Sequence, residues 1–297
     1  MSTSLAEKIA VDMNSWLPKV RIEFAMQGEP LVNPNVTDIL STFHKNFPTA
    51  QLLITTNSDP LKDDFNESDR LSATPHIFRG HVQKDRIKSL FDAGAHTLLV
   101  NDYDANDQML KDLQDIASSL GVSYFNYHEK GISPWSYRGT DHQEIVVMRW
   151  MEHLEDNDTK RALNNQAGNA LTKVIEHYRP LRELPMKARC QLPFRELEIK
   201  QDGAITSCCM QWGRDMIIDF FPNHSLQEIW ESQKFITVRK LLYEKERGLL
   251  APCKGCDYVP FKTGLLKDPM PENVLPMVEL AKTLSEETLI IPDFPLQ

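Results

Sequence analysis

The sequence predicts an α/β fold in which a parallel sheet with crossover helices precedes a small α+β cysteine-rich domain. Three observations carry this. Over residues 1–130, strand-like and helix-like patterns alternate with short connections, as they do where helices cross over between parallel strands. All five cysteines of the 297-residue chain lie at or beyond Cys190. Past Cys190 the alternation gives way to short strand patterns around a hairpin turn, Asp202-Gly203.

The elements follow in order. Thr3 or Ser4 caps a first helix whose apolar positions include Leu5, Ile9 and Met13, near a period of 3.6. Val20, Ile22 and Phe24 alternate as a strand. Residues 35–47 read as a helix with Val36, Ile39, Leu40 and Phe43 on one face, and 51–56 as a strand ending in the turn cluster Asn57-Ser58-Asp59-Pro60. A helix over 82–91 stops at Gly94, a strand spans 96–100, a helix spans 107–120 and stops at Gly121, and a strand spans 122–126. A further strand is expected over 144–148. These strands are too few for an eight-fold barrel. The chain also opens on a helix, which leaves the first sheet edge unfinished. Residues 131–189 show no clean period.

In the second part, Phe194, Leu197 and Ile199 alternate before the hairpin, and 204–206 lead into Cys208. Ser225 caps a short helix, with Glu228 as its capping-box partner. A second helix is expected over 233–248, another over 270–284, and an extended end over 291–297.

Composition narrows the function classes. Hydrophobic residues make up 41% and charged residues 25%, the balance of a globular chain rather than a disordered one. Asp plus Glu outnumber Lys plus Arg by 42 to 33, for a net charge of −9, which argues against a broad phosphate-binding surface, so a nucleic-acid partner is not expected. No apolar run approaches the ~20 residues of a membrane span. The first residues lack a basic stretch followed by an apolar core, so a cytoplasmic protein is expected.

The cysteines point to chemistry. Five of them, clustered in one stretch of a chain whose first residues do not read as a secretory leader, do not suggest a disulfide framework. Cys253 and Cys256 form a Cys-x2-Cys knuckle, two thiolates on one tight turn. Cys190 and Cys208 flank the Asp202-Gly203 hairpin, whose arms can bring them together. Four thiolates complete a closed shell and suit either tetrahedral zinc or a [4Fe–4S] cluster, and spacing alone does not choose. Cys208 and Cys209 are neighbours whose side chains point to opposite faces in extended chain, so one ligand is expected from the pair.

The run Cys190…Leu197-Glu198-Ile199…Asp202-Gly203…Cys208-Cys209…Ser225-Leu226-Gln227-Glu228-Ile229-Trp230…Arg239…Pro252-Cys253-x2-Cys256 resembles the C-terminal auxiliary-cluster domain of radical SAM enzymes. It is the SPASM type, closest to its shortened one-cluster form. The resemblance implies that Cys190, Cys208, Cys253 and Cys256 hold an auxiliary [4Fe–4S] cluster, with Cys208 rather than Cys209 as the ligand and zinc as the alternative metal. Residues 164–169 are similar to a Gly-Asn segment that often precedes this domain, with Gln166 where the family usually has Arg.

The first half is similar to the same family. Gly28-Glu29-Pro30, after the first strand, looks like the motif that binds the amino group of S-adenosylmethionine. Thr55-Thr56-Asn57 ends the second strand like the family's Thr-Asn-Gly segment, with Ser58 where Gly is usual. Asn101 and Asp102 end the third strand, where the family often contacts the ribose. All stand at carboxyl ends of parallel strands, where ligands bind in α/β folds. The resemblance covers residues 1–262. It implies a partial (β/α) barrel missing its first strand over 1–175, an iron–sulfur domain over 185–262, and a C-terminal helix and tail over 263–297.

The family's defining Cys-x3-Cys-x2-Cys, which holds the catalytic cluster, is absent, since no cysteine precedes Cys190. Either a longer enzyme begins upstream of Met1 or in a partner chain, or the chain is a non-catalytic relative that binds or scaffolds. For the enzyme, the resemblance implies an oxidoreductase or maturase acting on a peptide or small molecule through a 5′-deoxyadenosyl radical. As written, the chain is expected to be inactive in that reaction. His128, His142 and His153 read as surface or packing residues. Trp212 and Trp230 are expected to pack around the cysteine domain and shield a cluster from water.

Overall fold

The alternating patterns of the first half form a five-stranded parallel sheet in a computed structural model that describes residues 1–24, 28–65, 80–102, 106–127, 137–149 and 183–258. The chain divides into two compact units, Ser2–Lys160 and Arg161–Gln297. The boundaries expected at 175 and 262 fall outside the described residues, as do the segment 164–169, His128, His153 and the elements expected over 270–284 and 291–297.

In the first unit, α1 (Thr3–Trp16) starts where the Ser2 hydroxyl accepts the Leu5 N–H, and it buries Ala6, Ile9 and Ala10. Next come β1 (Val20–Phe24), α2 (Val36–Asn46) and β2 (Ala50–Thr56). They are followed by α3 (Lys84–Asp92), β3 (Thr97–Asp102), α4 (Asp107–Leu120), β4 (Ser123–Asn126) and β5 (Glu144–Arg149). Gly121 closes α4 at φ +70°, a left-handed end that glycine adopts without strain.

The strand order is β1-β2-β3-β5-β4, parallel throughout. The last strand thus enters between β3 and β4 rather than following β4 in succession. Burial explains the choice. Ile145, Val146, Val147 and Met148 of β5 are all 2% exposed or less, a run covered on both faces as an interior parallel strand must be. Strand β4 carries exposed Ser123 and half-buried neighbours, which suit an edge. Leu53, Leu99, Val146 and Met148 form one core layer, with Phe125 and Tyr127 packed on it.

The second unit holds a three-stranded antiparallel sheet, β6 (Glu198–Ile199), β7 (Ala204–Thr206) and β8 (Ile217–Phe220). The β6–β7 turn needs its glycine: Gly203 has φ +88°, and a Cβ there would collide with the Phe221 carbonyl. Helix α5 (Leu226–Trp230) opens on a full capping box between Ser225 and Glu228. Helix α6 (Gln233–Tyr243) is shorter than the 233–248 expected from periodicity. Lys245 turns left-handed at φ +70°, the Glu246 N–H reaches the Leu241 carbonyl at 2.8 Å, and the chain continues as a 3-10 turn over Arg247–Leu249. This is a Schellman ending with lysine in the place glycine usually takes, and so the sequence hides it. Helix α7 (Ala251–Lys254) carries the knuckle. Among the described residues, no helix is long and apolar enough to cross a membrane.

Candidate iron–sulfur centre and strand-edge site

Three segments deliver the four thiols. Cys190 stands just before a 3-10 turn, Leu192–Phe194, and Cys208 just after β7. Cys253 lies in α7, and the Cys256 N–H returns to the Cys253 carbonyl at 3.3 Å, which folds the knuckle. Cys190, Cys208, Cys253 and Cys256 line one cavity, together with Ser207, Met210, Leu242, Arg247 and Tyr258. Cys209 is buried and does not line it. Burial pushes the Cys190 thiol up to about 11, with Cys256 adding to the rise and Arg247 opposing it. The Cys208 and Cys253 thiols are raised further by burial, and each feels the charge of Cys190. Thiols that sense one another while sharing one cavity are a preassembled donor set whose protons must leave when metal binds.

Four cysteine thiols are a donor set that fits an iron–sulfur cluster and also a single zinc ion. Four sulfurs around one zinc, each at about 2.3 Å, stand roughly 4 Å apart. Among the described residues, no group of three or more His, Cys, Asp or Glu is drawn together to hold one ion. The four thiols line one shared cavity.

The second candidate region is the carboxyl edge of the parallel sheet. Gly28 has φ +93°, with open space where a Cβ would be. Glu29 receives the Leu31 N–H at 3.0 Å and, from the loop after β2, the Asn57 N–H at 2.8 Å. Thr56 also hydrogen-bonds to it. Pro30 begins a 3-10 turn, Pro30–Val32. Glu29, Thr56 and Asn57 therefore share one hydrogen-bonded edge, with Gly28 and Pro30 beside Glu29 in the chain. Ser58 adopts φ +76° and donates its N–H to the Thr56 hydroxyl at 3.1 Å, so the left-handed backbone expected of glycine is kept by serine. Burial pushes the Glu29 carboxyl up to about 7, against the opposing backbone hydrogen bonds from Asn57 and Leu31. Among the described residues no lysine or arginine pairs with it, which suits a cationic group brought by a ligand. Asp102 ends β3, is 2% exposed and accepts the Asn106 N–H at 3.1 Å. No hydrogen bond places it with Glu29.

Sequence reading did not single out Arg247 or Tyr258 as cavity residues. Arg247 falls in what periodicity reads as helix, and nothing local marks it as buried. Trp212, expected to shield the centre, is 44% exposed and does not line the cavity. It follows the turn Cys208–Gln211, which carries the side chain outward. Trp230 stacks on the Arg239 guanidinium, 4.0 Å from ring centroid to Cζ.

Fold and centre together define the class: a parallel α/β unit followed by a small cysteine domain that matches an iron–sulfur cluster-binding family. Residues 190–257 match the SPASM family, an iron–sulfur cluster-binding domain. Along most of its length the chain is also similar to a curated protein, the S-adenosyl-L-methionine-dependent 2-deoxy-scyllo-inosamine dehydrogenase of Niallia circulans. The two are 20% identical over 243 residues, spanning 82% of this chain and 75% of the relative. Among solved structures, BtrN in complex with AdoMet and 2-DOIA matches with a TM-score of 0.60 and 19% identity, over 91% of this chain and 85% of that one. BtrN in an open conformation matches with a TM-score of 0.53 and 17% identity, over 87% and 81%. At these identities the likeness shows the fold.

Proposed function

We propose that this chain is an iron–sulfur oxidoreductase of the radical SAM/SPASM type, in which Cys190, Cys208, Cys253 and Cys256 hold an auxiliary [4Fe–4S] cluster. The observation that carries this is the single cavity lined by those four thiols within a domain of the cluster-binding family. When bound, such a cluster supplies a one-electron acceptor or an anchor beside the substrate. The chain's own part is to hold four thiolates in a closed shell, leave Cys209 outside it, and bury the site under Met210, Leu242 and Tyr258. Buried free thiols suit a reducing compartment, and the cytoplasm is the proposed location.

The strand edge is proposed to bind S-adenosylmethionine. Glu29, held by two backbone N–H groups, would take the amino group, and Gly28 would let the backbone approach it. Thr56, Asn57 and Asp102 would supply the remaining polar contacts. A cationic ligand at Glu29 would pull its pKa back down, so binding should tighten as pH rises through 7. Isothermal titration with S-adenosylmethionine at pH 6 and pH 8 tests this; equal affinities, or no binding to either form, count against it. The substrate class proposed is a small molecule or peptide oxidised at one carbon, as the dehydrogenase relative's name suggests.

A second reading is favoured by one observation: none of the 189 residues before Cys190 is a cysteine, so these residues hold no thiolates for a catalytic cluster. In that reading the chain binds a cluster and a ligand without generating a radical. The coding sequence upstream of Met1 and of neighbouring genes separates the two. An in-frame Cys-x3-Cys-x2-Cys supports the enzyme, and its absence from both supports the binding module.

A further inference from the structure

Arg247 lines the same cavity as the four thiols and is 1% exposed. Its Nε donates to the Ala188 carbonyl at 2.9 Å and its Nη2 to the Arg189 carbonyl at 3.3 Å. Its Nη1 donates to the Tyr258 carbonyl at 3.4 Å and lies 3.9 Å from the Met186 sulfur. Every partner is neutral, and among the described residues no carboxylate forms an ion pair with it. A guanidinium keeps its proton under all ordinary conditions. Burying it without a counter-charge is therefore strongly unfavourable. Four protonated thiols cannot supply the missing negative charge, whereas four thiolates around a metal core can.

We propose that Arg247 is the built-in counter-charge of the auxiliary cluster, a positioning residue that sets how readily the centre accepts an electron. The inference rests on the cluster reading above. One electron from an external one-electron donor makes the already anionic centre one unit more negative, with no bond made or broken and no proton moved. A fixed positive charge favours the more negative state, so removing it makes reduction harder. In a buried, partly screened site a unit charge a few ångströms away changes such an equilibrium by more than about tenfold. The same side chain ties the backbone just before Cys190 to the backbone just after Cys256, which fixes where the charge sits.

The test is a potentiometric titration, read by electron paramagnetic resonance, on the full chain reconstituted anaerobically, with iron and sulfide counted in parallel. Wild type, Arg247→Lys and Arg247→Gln are compared. Arg247→Gln should shift the midpoint negative by at least about 59 mV, the equivalent of tenfold for one electron. Arg247→Lys should stay within about threefold of wild type in the same equilibrium. A wild-type potential in Arg247→Gln, or an equal shift in Arg247→Lys, overturns the inference while leaving the cluster reading intact. Should Arg247→Gln take up no iron while Arg247→Lys loads fully, the need for charge is met at assembly and the inference stands. Should neither variant load, the residue is a structural clamp and the inference fails. A wild-type chain that holds no iron and sulfide overturns the cluster reading itself.

Discussion

In the sheet unit the most deeply buried carboxylate, Glu144, meets a guanidinium, that of Arg138. In the cysteine unit the most deeply buried guanidiniums, Arg239 and Arg247, form no ion pair with a carboxylate among the described residues. Around Glu144 the polar groups close on one another: Thr97 donates to it at 2.8 Å, Gln51 donates to Thr97 at 3.3 Å, and the Arg138 N–H returns to Gln51 at 2.7 Å. Arg239 is instead sandwiched between the rings of Trp230 and Phe235, each 4.0 Å away, and donates to the Pro193 and Trp230 carbonyls. Arg247 faces thiols. The Glu144 network of the sheet unit is thus paired as folded. The cysteine unit has strands of two to four residues and buries two guanidiniums that form no ion pair with a carboxylate among the described residues.

The sharpest way to break this contrast is Cys253→Ala. A structural metal site carries on the order of 10 kcal/mol of folding free energy, so the variant should lose its iron and the cysteine unit its protease resistance, while the sheet unit keeps its own. Limited proteolysis with mass mapping reads both at once. If the two units resist as in wild type, the cysteine unit does not depend on metal.

Arg239→Met removes two carbonyl hydrogen bonds and two ring stacks without leaving a cavity. Destabilisation of about 3–4 kcal/mol in urea unfolding is expected. A cost below about 1 kcal/mol would show that the neutral cage contributes little.

Glu29 tests a carboxylate of the sheet unit pushed up to about 7, from 4.5, chiefly by burial. Its folded pKa lies above the unfolded one, so its contribution is fully present below pH 4.5 and is lost as pH rises through 7. That loss amounts to about 2–3 kcal/mol and should vanish in Glu29→Gln. Parallel pH profiles for wild type and variant would remove the basis for a cation-seeking carboxylate. The smallest effect is expected from Ser225→Ala, where loss of the capping box on α5 should cost about 1 kcal/mol by thermal unfolding.

How far the sequence showed this differs between the units for the same physical reason. Helices α2 and α4 are legible because burial on one face imposes their periodicity, and strands β2 and β3 because burial on both faces makes them short, largely apolar runs. The insertion of β5 between β3 and β4 is not, since pairing partners leave no local trace even where the apolar run 145–148 marks an interior strand. The four cysteines are legible because metal chemistry restricts residue type and spacing. Arg247 is illegible because its role comes from what the chain wraps around it. Lys245 conceals the end of α6 by standing where glycine would announce it. Ser58 shows the reverse case, a substituted position whose backbone conformation is retained.

The central claim is that the cysteine unit is organised around an iron–sulfur cluster. Anaerobic reconstitution followed by iron, zinc and acid-labile sulfide analysis of the full chain tests it most directly. About four irons and about four sulfides per chain are predicted. One zinc with no sulfide, or no bound metal at all, would contradict it.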